Sequence, residues 1–203
     1  MSDTLIASTP RCLAPDPRPF VVGFGGTPRE ASTSERLLRC TLAAAEVAGA
    51  QTLLIPGRQL DFPLYSPSGR CSGASLSFVT VLQQADGVII ASPAYHGVIS
   101  GMIKNALDYV EELRDDERPY LDGRAVGCIA CADGWQAGTT TLISLRMVVH
   151  ALRGWPTPLG VSVNSALPLF DTDGLLCDGK VVEQLTLLGE QVVDFASRAA
   201  VRK

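Results

Sequence analysis

The sequence is poor in aromatics, which make up 6% of its 203 residues, and it holds only two histidines and three methionines. So few histidines, with no carboxylates at ligand spacing around them, argue against a catalytic metal centre. Basic residues are in deficit as well: 17 against 21 acidic ones leave a formal charge of −4. There is no cationic excess to neutralise a polynucleotide backbone, so binding to nucleic acid is not expected. Long apolar runs are missing too. Stretches such as Val88-Ile89-Ile90-Ala91 are far too short to span a bilayer, so no membrane association is expected. The first residues, Met1-Ser2-Asp3-Thr4, lack a basic region followed by an apolar one. That pattern carries no secretory signal and leads to the expectation of a cytoplasmic protein.

What is present is ordinary globular material, 46% hydrophobic and 19% charged, with a length that suits one domain. Six cysteines without an export signal read as buried thiols. The one suggestive pair, Cys128 and Cys131, lies in an apolar run that reads as a strand. Residues three apart on a strand point to opposite faces, so these thiols are not expected to share a metal or a disulfide.

Residues 1–19 are rich in proline and read as a loose arm, with the domain running from 20 to 203. Strands are expected at Phe20 to Phe24, Gln51 to Ile55, Val88 to Ala91, Gly127 to Ala132 and Pro158 to Val163. Between and after them, helical spacing appears over Ser32 to Ala48, Ser72 to Ala85, Ser100 to Leu113, Thr139 to Leu152 and Val181 to Ala200. Strict alternation predicts an α/β fold, a doubly wound five-stranded parallel sheet with helices on both faces. Ligands of such folds bind beyond the carboxyl ends of the strands, which makes three loops the candidates for chemistry.

The first loop, Gly25 to Ser34, joins a buried strand to a helix. Thr27, Ser32, Thr33 and Ser34 supply hydroxyls and Arg29 a planar cation, a donor set suited to a phosphate at a helix N-terminus. Pro28 stands where a dinucleotide fingerprint needs glycine, so that kind of site is disfavoured. The run from Gly174 to Lys180 resembles a triphosphate loop, but Val181 replaces the metal-holding hydroxyl. The second loop contains Pro93, Ala94, Tyr95, His96 and Gly97, a turn with planar side chains that can lie against an aromatic ring. His150 sits on a helix and reads as structural. In the third loop, Asp133, Gly134 and Trp135 form a glycine-rich wall with one stacking surface. Together the loops describe a mononucleotide lying across the strand ends.

The first loop resembles the Gly-Ser-x-Arg-x-x-Ser-x-Asn phosphate loop of the NAD(P)H-dependent FMN reductase family, with Thr27, Arg29, Ser32 and Ser34 at the matching positions. Ser92-Pro93-Ala94-Tyr95-His96-Gly97 and Lys104-Asn105-Ala106-Leu107-Asp108 are similar to that family's Pro-Glu-Tyr-Asn-Gly turn and Lys-Asn-Ala-x-Asp helix, and Phe62-Pro63-Leu64-Tyr65 to its Leu-Pro-Leu-Tyr segment. Ala94 and His96 replace the family's usual Glu and Asn, and the third loop lacks its Gly-Gly pair. The N-terminal arm and 167–178 have no counterpart. The resemblance implies a flavodoxin-like fold, non-covalent FMN as cofactor, NAD(P)H as co-substrate, and no acid/base residue.

It further implies that backbone groups of Ala94 to Gly97 and of Asp133 to Trp135 meet the flavin ring. Small-molecule substrates are implied, as are a homodimer or homotetramer with Met102, Tyr109 and Leu113 at its contact, and a flavin-dependent monooxygenase as a further partner. Three rivals remain: a reductase of quinones, azo dyes or metal oxyanions that keeps FMN as a prosthetic group, a flavodoxin-type electron carrier, and a protein that has lost flavin and serves as a binding partner. Arg29 and the modest negative charge count against the carrier.

Overall fold

A computed structural model describes residues 18–69 and 71–200. The arm expected over 1–19 therefore lies outside the described residues except for its last two positions.

Strand β1 (Phe20–Gly25) pairs in parallel with β2 (Gln51–Pro56) on one side and with β3 (Gly87–Tyr95) on the other. Next to β3 runs β5 (Ala125–Ala132), and beyond β5 the short strands β6 (Trp155–Pro156) and β7 (Val161–Asn164) both pair with it in parallel. The order β2-β1-β3-β5 followed by β6 and β7 is that of a flavodoxin-like doubly wound sheet. It contains seven strands where the sequence suggests five. One addition is β4 (Val98–Ile99), which folds back antiparallel on the end of β3. The other arises because the last strand is split. Pro158 has no N–H to offer the ladder, and the Thr157 hydroxyl donates to Leu159 O at 2.7 Å inside the break.

Alternation along the strands assigns the two cores. Val22, Phe24, Val88, Ile90, Val126 and Cys128 face helices α2 (Gly73–Gln84), α3 (Gly101–Asp108) and α4 (Trp135–Ala151). Val21, Ile89, Ala91, Ile129 and Cys131 face α1 (Thr33–Val47) and α5 (Gly179–Ala200). Cys128 and Cys131 thus lie on opposite faces, as period two requires. Burial pushes the Cys128 thiol up to about 12 and also raises Cys131.

Two helices depart from expectation. The segment expected as one helix to Leu113 tightens into a 3-10 turn over Tyr109–Leu113. There the Tyr109 hydroxyl donates to Pro63 O at 3.1 Å and its ring meets Phe62 and Tyr65. Tyr109 and Leu113 are consequently buried in the chain's own core and offer no exposed surface to a second subunit, whereas Met102 packs against that core and stays partly exposed. Helix α4 starts at Trp135, four residues earlier than read, because Gly138 is a packing position rather than part of a loop. A Cβ there would lie 2.4 Å from Ser162 Oγ.

The segment after β7 doubles back through a Phe170–Leu176 bridge and is held on α1. The Arg36 guanidinium lies 3.3 Å from the Phe170 ring centroid and donates to Gly174 O at 2.5 Å. Among the described residues no helix is long and apolar enough to cross a membrane.

Candidate functional site

The chain leaves β1 through a steric bottleneck. A Cβ on Gly25, whose φ is +149°, would sit 2.1 Å from Ala91 O, so only glycine lets β1 and β3 end side by side here. Gly26 follows at φ +103°, donates to Ala91 O at 3.1 Å, and has Glu35 Cβ, Ser32 Oγ and Gly57 N around the place a Cβ would occupy. This is the point where β1 connects to β2 on one side while β3 lies on the other, the switch point at which doubly wound sheets open a crevice.

The first loop is held by its own hydroxyls. Thr27 Oγ1 receives Arg29 N–H at 3.2 Å and donates to Arg29 O at 3.3 Å, closing a short turn. Ser32 is the N-cap of α1 and is buried, as is Ser34: the Ser32 Oγ accepts from Glu35 N at 3.4 Å and Thr27 N at 3.3 Å. The first-turn N–H groups of Thr33 and Ser34 have no helical carbonyl in reach. Arg29 is exposed, and its guanidinium has no hydrogen-bond or ion-pair partner among the described residues. The hydroxyls of Thr27 and Ser32 are thus occupied in shaping the loop, whereas the exposed Arg29 side chain has no partner among the described residues and the helix terminus keeps unsatisfied N–H groups.

At the end of β3, Tyr95 pairs with Val98 across a two-residue hairpin. Both central residues have positive φ, His96 at +54° and Gly97 at +84°, the signature of a type I′ turn that matches strand twist. Ser92 Oγ closes the base of the hairpin by accepting from Ser100 N at 3.1 Å. Pro93 is buried, Ala94 half-buried, and Tyr95 and His96 point into solvent, Tyr95 with 54% of its surface exposed. At the end of β5, Asp133 accepts from Ser165 Oγ at 2.5 Å. Gly134 is the N-cap of α4, with no side chain to cap it, and Trp135 is the first helical residue, 61% exposed. A Cβ on Gly97 would lie 3.3 Å from Thr140 Oγ1, so the hairpin and the start of α4 stand against each other.

Three residues of this edge escaped the sequence reading. Gly57, read only as the end of a strand, carries the backbone against the first loop, since a Cβ there would be 2.4 Å from Thr27 O. Glu35 is 2% exposed and is met by Arg39 at 2.7 Å and by Arg58 at 3.4 Å. The spacing Ser32-x-x-Glu35 was a legible capping signal for the carboxylate; nothing local announced Arg58. The residues Phe62 to Tyr65 and Asn105 prove to be mutual supports. Asn105 Nδ2 donates to Phe62 O and Pro63 O, and its Oδ1 accepts from Tyr65 N at 2.8 Å.

The donor set fits a phosphomonoester: a helix N-terminus, its serine hydroxyls, a guanidinium with no partner among the described residues, and a glycine floor with no room for a side chain. The three exposed planar residues Tyr95, His96 and Trp135 and the uncapped α4 terminus fit a flat heteroaromatic ring at the neighbouring loops. A flavodoxin-like α/β protein with its candidate site at the carboxyl edge of the sheet is what the fold defines. Comparison with known proteins supplies the family. Residues 19–167 match the model of the NADPH-dependent FMN reductases, and the chain belongs to that family. The NADPH azoreductase of Bacillus sp. strain OY1-2 is 32% identical over 136 residues, covering 66% of this chain and 68% of that one. The FMN-dependent NADPH-azoreductase of Staphylococcus haemolyticus is 28% identical over 147 residues, or 71% and 74% of the two chains. Among solved structures, the flavoenzyme NAD(P)H:(acceptor) oxidoreductase FerB from Paracoccus denitrificans superposes with a TM-score of 0.71. Its sequence identity is 19%, and the match covers 89% of this chain and 98% of that chain.

Proposed function

We propose that the protein transfers hydride from NAD(P)H to FMN held at the carboxyl edge of its sheet, and that electrons pass on to a small-molecule acceptor. The observation that carries this reading is the first loop, where an exposed Arg29 without a side-chain partner among the described residues precedes the open N-terminus of α1 at the switch point. When bound, FMN supplies the two-electron redox chemistry. Arg29, Ser32, Ser34 and the N–H groups of Thr33 and Ser34 bind its phosphate, and Thr27 sets the loop that presents them. The hairpin from Pro93 to Gly97 and the segment Asp133 to Trp135 orient the ring, with Tyr95, His96 and Trp135 as its planar borders. The free N–H groups at the start of α4 offer partial positive charge to a ring that gains electrons. No side chain is assigned a proton-transfer role.

The azoreductase likeness supports FMN dependence and an azo compound as acceptor, which favours a retained flavin; the family model equally supports FMN as a diffusing substrate. We further place the protein in the cytoplasm, as a homodimer or homotetramer, with a flavin-dependent monooxygenase as recipient if FMN diffuses. Support comes from its free thiols and from the exposed apolar residues Ile143, Met147 and Trp155 on and beside α4. The deciding experiment is NAD(P)H oxidation by flavin-stripped protein as FMN is raised. Saturation well above one FMN per subunit makes FMN a substrate. A plateau at one per subunit, with a rate that then follows added quinone or azo dye, makes it prosthetic. Absence of oxidation despite FMN binding overturns the reductase reading.

A further inference from the structure

A buried carboxylate occupies an unexpected place in this chain. Glu35 lies in the first turn of α1, and its Cβ stands 3.1 Å from where a Gly26 Cβ would be, directly behind the anion cradle. Its negative charge would oppose any phosphate that the same helix terminus attracts. Two arginines meet it from different directions. Arg39, one turn along α1, takes Oε1, whereas Arg58 arrives from the turn after β2 and takes Oε2 at 3.4 Å. Only Arg58 also reaches the loop itself, with Nε 3.8 Å from Glu30 Oε1. Its neighbour Gly57 is the residue pressed against Thr27. The guanidinium thus straps the outer sheet edge to both ends of the phosphate loop and covers the charge beneath it.

We propose that Arg58 is a positioning residue for phosphate recognition: by bridging Glu30 and Glu35 it screens the buried carboxylate from the cradle, and so makes the site select FMN over the uncharged riboflavin. The proposal rests on the phosphate reading of the first loop. It assigns Arg58 no contact with the flavin, so its effect runs through the carboxylates it bridges, Glu35 above all because Glu30 is exposed. Without Arg58, Glu35 keeps Arg39 on Oε1 but loses the partner of Oε2, and the less balanced charge acts at a distance on an incoming dianion while leaving a neutral ligand almost untouched.

The test is fluorescence titration of flavin-stripped protein with FMN and with riboflavin, for the wild type, Arg58→Met, Arg58→Lys and the double variant Arg58→Met/Glu35→Gln. Arg58→Met is expected to weaken FMN by about tenfold while changing riboflavin by less than about twofold. Lysine should recover most of the loss. Removing the Glu35 charge in the double variant should return FMN to within about threefold of wild type. The double variant also keeps the test alive if Arg58→Met alone fails to fold. Equal loss of both flavins in Arg58→Met, or a double variant that folds but selects FMN no better than Arg58→Met, overturns the proposal. A wild type that binds riboflavin as tightly as FMN overturns the phosphate reading itself, whatever Arg58 does.

Discussion

Two arginines at opposite ends of the sheet divide the molecule's labour. Arg124, at the amino end of β5, is fully buried. Its guanidinium donates to Gln83 O, Ala85 O, Tyr120 O and Asp122 O at 2.8 to 3.3 Å, gathering the last carbonyls of α2 and the loop before β5. Desolvation, with Arg118 close by, lowers it to about 10. Arg29, at the carboxyl end of β1, is exposed and unpaired among the described residues. One cation is consumed by the fold and one is held in reserve for a ligand. The difference follows from strand direction: in a parallel sheet the helices start at the carboxyl edge, where N–H groups are open, and finish at the amino edge, where carbonyls need donors.

That contrast breaks most visibly at Arg124. Arg124→Leu should cost about 3 kcal/mol of stability in urea unfolding, because buried carbonyls lose their donors. The FMN affinity of the folded fraction should stay unchanged; a parallel loss of affinity would join the two edges into one functional unit. Arg29→Ala should do the reverse, weakening FMN by ~1.5–3 kcal/mol in a fluorescence titration and moving the unfolding midpoint little. An unchanged dissociation constant would remove Arg29 from the site.

The strand interior gives an alkaline signature that belongs to the structural side alone. The folded Cys128 thiol is raised from 9.0 to about 12, chiefly by desolvation with Arg146 opposing. Its contribution is therefore full below pH 9 and is lost as pH climbs toward 12, at about 1.4 kcal/mol per pH unit for one proton. Stability of Cys128→Ala measured by denaturant titration should fall less steeply over that window; an identical slope would show that other groups carry it. The smallest effect is expected at Trp135→Ala, where an exposed ring leaves the fold within about 0.5 kcal/mol and flavin affinity drops by about 1 kcal/mol. A change in stability without one in affinity would make Trp135 part of a protein contact.

How far the chain could be read in advance varied by element, and the reasons are physical. Strands such as Val88 to Ala91 and helices such as Thr33–Val47 were legible because continuous apolar runs and helical spacing are local signals. The first loop stood out for a similar cause, as its hydroxyls and Arg29 lie close together along the chain. The start of α4 was misread, since Gly138 looks like loop punctuation until Ser162, from a distant strand, is seen to need its missing Cβ. The last strand looked continuous because Pro158 was counted as its first residue, whereas Trp155 and Pro156 already pair with β5. Glu35 and Arg58 were invisible as a pair, being 23 residues apart and joined only by the sheet.

The sequence by itself determined the alternation of elements, the two-faced burial of each strand and the residue types at the carboxyl edge. These depend on neighbours within a few positions and on the period of the backbone. Tertiary structure alone decided which of those residues are free. Thr27 is spent on its own turn, Asn105 on the Phe62 to Tyr65 segment and Arg124 on the end of α2, whereas Arg29 is left unpaired among the described residues. Availability is a matter of what lies within hydrogen-bond distance in space, and spacing along the chain does not encode it.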